Sequence, residues 1–181
     1  MVLLDTALPG AFVIEPECLH DSRGFFGRLW NADALAARGL VAGFDHCSVS
    51  FNRRKGTLRG MHYQAGPFAE TKLVRCTRGA IHDVALDLRS ESPAYRQWIA
   101  VELSADNRRT LYIPAGCAHG FQTLTPDAEV LYMIDAPYSP EHGRGVRWND
   151  PAFGITWPGI IWPDEERTMN ERDAAYPDFT G

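Results

Sequence analysis

From Cys47 to Ile134 the chain is a succession of short segments rich in β-branched and aromatic residues: CSVSF, TLRGMHY, KLVRCT, AIHDVALDL, WIAVEL, RTLYIP, GFQTL and EVLYMI. Turn material such as AGPF, TRG, RSESPAY, SADN, PAG and TPDA separates them. No helical pattern intervenes that could cross over between parallel strands. The arrangement predicts an all-β domain with antiparallel sheets, a sandwich, barrel or jelly roll. AIHDVALDL alternates, placing His82, Val84, Leu86 and Leu88 on one face and Asp83 and Asp87 on the other.

Ahead of these segments, residues 1–30 read as an opening arm. Ala11–Ile14 is a short strand candidate, and HDSRGFF (His20–Phe26) is a turn carrying Arg23 beside two aromatics. One short helix is expected, capped by Asn31 and ended by Gly39. Behind them, the stretch from Tyr138 to Gly181 is rich in Pro, Trp and Gly. It reads as an irregular C-terminal wrap packed by Trp148, Trp157 and Trp162. Its charged run, DEERTMNERD, reads as a solvated tail. A single domain spanning 1–181 accommodates all of this.

A net charge of −5 argues against non-specific nucleic-acid binding, so a local cluster of cations would mark a specific anion site. No apolar run is long enough to span a membrane, and the N-terminus lacks the layout of a secretory signal. Cys18, Cys47, Cys76 and Cys117 form no close pair. A reduced, cytoplasmic protein is the plain expectation.

The chemistry concentrates between Lys55 and Leu88. His62 lies three residues after Arg59, so simple alternation would put them on opposite faces. Gly60 between them can bend the strand and bring both into one cavity. Lys72 lies on a neighbouring segment whose Leu73 and Arg75 face the other way. Farther on, YIPAGCAHGFQTL contains Pro114, Gly116 and His119 in a P-x-G-x-x-H pattern, the second signature of cupin barrels, where the His is often a metal ligand. The matching first signature is broken: His62-Tyr63-Gln64 stands where His-x-His belongs, and Lys72 sits near the expected acidic ligand. A cation there opposes metal binding. No metal and no organic cofactor are expected, and nucleotide-binding glycine motifs are absent.

Together SRGFF, KGTLRGMHYQ, KLVRCTRGAIHDVALDLRSESPAY, LYIPAGCAHGFQTL, EVLYMI and WNDPAFGITWP resemble the dTDP-4-dehydrorhamnose 3,5-epimerase family. The resemblance implies a cupin double-stranded β-helix, or jelly roll, acting on a nucleotide-linked 4-keto-6-deoxyhexose in deoxysugar biosynthesis. The ketone acidifies the protons at C3 and C5. Epimerisation then needs a base on one face, an acid on the other and a cation for the enolate oxygen. Carried over, His62 is the base, Asp173 its orienting carboxylate, Tyr132 the acid and Lys72 the enolate partner. His119 lines the sugar pocket, and Arg59 and a partner subunit's copy of Arg23 contact the diphosphate. Phe26 and Tyr138 form a nucleoside shelf, and Gln64 joins the substrate contacts. The resemblance further implies a homodimer with exchanged N-terminal arms. Arg28, His46 and Ser48 depart from the family's usual Glu, Gln and Asn. The rival readings are a 3,4-ketoisomerase on the same substrates, a sugar-nucleotide-binding cupin without catalysis, and a metal-dependent oxygenase.

Overall fold

The structure, a computed structural model, describes residues 1–158 and 168–180. The strands are β1 (Val2–Asp5), β2 (Phe12–Glu15), β3 (Cys18–Asp21), β4 (Gly24–Gly27), β5 (His46–Asn52), β6 (Leu58–Gln64), β7 (Lys72–Arg78), β8 (Ala80–Asp87), β9 (Trp98–Ser104), β10 (Thr110–Ile113), β11 (Cys117–Thr123), β12 (Ala128–Ile134) and β13 (Gly143–Gly145). Among the described residues two short α-helices accompany them, α1 (Ala32–Ala36) and α2 (Glu171–Ala174). A six-stranded sheet runs β1-β2-β10-β7-β12-β5 and a five-stranded sheet runs β13-β6-β11-β8-β9. Their strand pairings are all antiparallel. Sequence-distant strands interleave in both sheets, as a jelly roll requires.

Between the sheets Val74, Cys76, Ile81, Leu111, Phe121 and Val130 form the main core. Each such buried side chain contributes roughly 1.5–3 kcal/mol of transfer free energy. The alternation in β8 holds, but both of its faces are buried. Ile81 and Ala85 enter the inter-sheet core. Val84 and Leu86 pack outward against Met61, Ala118, Phe153 and Trp157. Asp83 and Asp87 are therefore interior carboxylates, both 0% exposed. Arg89 and Ser92 satisfy Asp87 at 2.8 and 2.6 Å.

The helix α1 follows from its cap: Asn31 Oδ1 accepts the Ala34 N–H at 2.9 Å. Its one buried residue, Leu35, seals the outer face of the six-stranded sheet against Ile14, Leu73 and Tyr112. Four features depart from the sequence reading. β1 and β13 are additional strands, and HDSRGFF belongs to a complete β3–β4 hairpin. The charged run is not a solvated tail where it is described. Thr168 bridges to Thr57, its carbonyl accepts the Leu58 N–H, and α2 follows. Trp157 packs as expected and donates to the Trp148 carbonyl. Trp162 and the segment 164–167 lie outside the described residues.

The bend expected at Gly60 is present. Gly60 has φ +119°, and a Cβ there would lie 2.5 Å from Gly120 Cα and 2.8 Å from the His119 carbonyl. The β6–β11 register skips between His119 and Phe121 at this crossing. Two glycines thus let the strands touch and aim Arg59 and His62 into one cavity. Gly60→Ala should lose about 2–4 kcal/mol of stability, from positive-φ strain plus backbone overlap. A urea titration checks this, and an unchanged midpoint would contradict it.

Candidate active site

A cavity of about 250 Å³ opens between the two sheets. The five-stranded sheet contributes Arg59 and His62 from β6 and His119 from β11. The six-stranded sheet contributes Ser50 from β5, Lys72 from β7 and Tyr132 from β12. Sequence reasoning named every one of these except Ser50.

Behind His62 stands Asp173, 0% exposed, with Oδ1 2.7 Å from His62 Nε2. A carboxylate can only accept, so Nε2 carries the proton and Nδ1 is left as the basic nitrogen. The other oxygen, Oδ2, accepts the Gly60 N–H at 3.0 Å. Burial works against the Asp173 charge, but the bonds from His62 and Gly60 outweigh it and hold the carboxyl below its usual range. Asn170 caps α2 and fixes the turn that presents Asp173.

His119 repeats the arrangement more deeply. Its Nε2 is 2.7 Å from Asp83 Oδ1, and both residues are buried. Sequence reasoning set Asp83 aside; the signal was its place on the inner face of β8. On the opposite sheet the Tyr132 ring packs against the inter-sheet core and the edge of His119, and its phenol bonds Ser50 Oγ at 3.0 Å. Burial drives its pKa far above the ordinary phenol value, with the Ser50 bond as a partial counterweight.

Lys72 is largely buried, paired with Glu70 at 2.9 Å and 3.4 Å from the His62 carbonyl. Arg59 is held by Asn52 through Nε at 2.7 Å. A second cavity of about 180 Å³ shares His62 and is lined by Tyr138, Glu70, Arg144 and Arg172. The two arginines escaped the sequence reading because nothing in the linear order links them to Tyr138.

Gln64 borders this second cavity but spends its amide on the protein. Nε2 donates to the Phe68 and Pro137 carbonyls, and Oε1 accepts the Ser139 N–H at 2.6 Å. Those bonds grip the chain on both sides of Tyr138. Arg23 and Phe26 are not brought to the His62 cavity within one chain. They line a separate depression with Asp21 and Phe25, where Arg23 is paired to Asp21. For metal chemistry the donor set is thin: among the described residues no three His, Cys, Asp or Glu side chains converge as a metal site would need, and Lys72 faces the same cavity.

The site therefore offers an oriented imidazole on one sheet, a phenol on the opposite sheet and an ammonium group paired with Glu70. That set can move protons on and off carbon beside a carbonyl.

Comparison with known proteins agrees with this chemistry. The family model described as dTDP-4-dehydrorhamnose 3,5-epimerase matches residues 5–181. The protein of that name from Salmonella typhimurium is 43% identical over 180 residues, covering 98% of this chain and 94% of its own. The crystal structure of the Elizabethkingia anophelis protein of the same name superposes with a TM-score of 0.93 at 36% identity, covering 99% of this chain and 96% of its own. A Legionella pneumophila epimerase solved in complex with dTDP-4-keto-L-rhamnose gives a TM-score of 0.87 at 32% identity, covering 99% of both chains. The chain belongs to the dTDP-4-dehydrorhamnose 3,5-epimerase family, and it is a cupin-type isomerase of deoxysugar biosynthesis.

Proposed function

We propose that His62 removes the protons at C3 and C5 of a dTDP-linked 4-keto-6-deoxyhexose and that Tyr132 donates its own phenolic proton to the carbon from the opposite face, recovering it from solvent between steps. The observation that carries this reading is the placement of His62 and Tyr132 on opposing sheets around one cavity. Inversion at carbon needs two groups on two sides, whereas binding alone needs neither. Lys72 then faces the oxygen that gains charge as the enolate forms. His119, locked by Asp83, lines the sugar wall, and Arg59 holds the diphosphate. Arg172 and Arg144 extend that cationic surface towards Tyr138, the nucleoside shelf positioned by Gln64. The proposed chemistry calls on no metal or organic cofactor. A ketoisomerase would instead move the carbonyl to C3, which NMR of the product sugar distinguishes.

Asp173→Asn tests the dyad. An amide can donate to Nε2 and force the proton onto Nδ1, removing the base without emptying the site. The analogous change in the serine-protease triad costs about 10⁴ in kcat, and a loss of ~10³–10⁴ is expected here. Single-turnover kinetics would show it, and a change below ten-fold would count against the pairing.

The same reading includes a homodimer in a cytoplasmic setting, with each N-terminal hairpin reaching the partner's site. Leu19, Phe25 and Phe26 on the hairpin are exposed, at 72%, 46% and 68%. Apolar tips of that kind are expected to be covered by a second protein surface. Mixing inactive His62→Ala chains with inactive Arg23→Ala chains should restore activity. Random pairing rebuilds about a quarter of the sites when His62 and Arg23 act from different subunits. No recovery after subunit exchange would place both groups in one chain or remove Arg23 from the site.

A further inference from the structure

We infer that Ser50 is a positioning residue for Tyr132, holding its phenol in the donating orientation and making it a stronger acid. This rests on the proton-donor reading of Tyr132. In the β5–β12 register Tyr132 stands opposite Ser48, and Val130 stands opposite Ser50. The phenol nevertheless reaches diagonally to Ser50 Oγ, at 3.0 Å, although Ser48 lines the same cavity. Diagonal reach of this kind is within an aromatic side chain's span. Among the described residues Ser50 is the sole hydrogen-bond partner of that phenol.

The chemistry of the site selects the direction of the bond. If Ser50 donates to the phenol oxygen, the Tyr132 proton is free to point at the substrate carbon. As that proton leaves, negative charge collects on the phenol oxygen, and a bond already aimed there strengthens. Buried in an apolar wall, the phenol needs such help, since desolvation opposes its ionisation and Ser50 is the chief group acting the other way. Of the other polar groups lining the cavity, Arg59, His62, Lys72 and His119 are tied to Asn52, Asp173, Glu70 and Asp83. Ser50 is partly buried and lines the cavity without belonging to the inter-sheet core, so removing its hydroxyl opens no hole in that core.

The test compares two rates in deuterated water with dTDP-4-keto-6-deoxyglucose. NMR follows loss of the protons beside the ketone and, separately, appearance of inverted product. Ser50→Ala should slow product formation about ten-fold, the equivalent of one hydrogen bond to a developing charge. Proton loss driven by His62 should stay within about two-fold. Ser50→Thr, which keeps the hydroxyl, should restore product formation. If Ser50→Ala slows both rates equally, or neither, the inference is wrong. Tyr132→Phe in the same assay separates the levels. A Tyr132→Phe enzyme that still inverts carbon sinks the donor reading and this inference together. A crippled Tyr132→Phe beside an unimpaired Ser50→Ala removes Ser50 alone.

Discussion

Replacing His62 with Ala is expected to lower kcat by at least ~10³, with dTDP affinity changed by no more than about two-fold. The two numbers separate because of where His62 sits. Its imidazole faces the sugar cavity, while Arg144, Arg172 and the Tyr138 shelf that would hold the nucleotide belong to other segments of the chain. The variant also leaves the 0%-exposed Asp173 without its imidazole partner, though Oδ2 keeps the Gly60 N–H. A modest stability cost is therefore expected alongside the lost turnover. Isothermal titration with dTDP and a turnover assay decide the matter. Affinity falling in step with kcat would make His62 part of the binding surface and not the base.

Tyr132→Phe should split the reaction in two. Proton abstraction by His62 continues, so deuterium enters the substrate with retention, while inverted product falls by ~10²–10⁴. The ring stays in the wall beside His119, where the two rings meet edge to face at 6.1 Å. Only one hydroxyl and its bond to Ser50 are lost, so the fold should weaken by about 1 kcal/mol. Equal losses of exchange and inversion would argue against Tyr132 as the acid.

The strands carrying these residues were legible because their β-branched and aromatic runs are interrupted by turn-formers, and Asn31 and Gly39 bracketed α1 by ordinary capping chemistry. β13 was not legible, since Gly-Arg-Gly has no strand preference and is extended only because β6 offers an edge. In α2 the signal was present but weak. Asn170 followed three residues later by Asp173 resembles a cap, yet the charged run around it reads equally well as solvated surface. Asp173 could not be found from local pattern at all, because its partner His62 lies 111 residues away; only the family resemblance pointed to it. Asp83 failed differently. Alternation placed it correctly opposite Val84, but a carboxylate on a strand reads as outward when both faces of that strand are in fact covered.

Among the described residues every strand is laid down by Gly145, whereas the carboxylate that orients His62 arrives only with α2. Assembly of the scaffold and arming of the base are thus separate events. A chain nicked ahead of Asn170 would retain all the segments that build both sheets and the cavity, yet its imidazole would lack a fixed tautomer. Such a product would keep the sheets without converting substrate, so for this enzyme folded protein and competent protein are two different quantities.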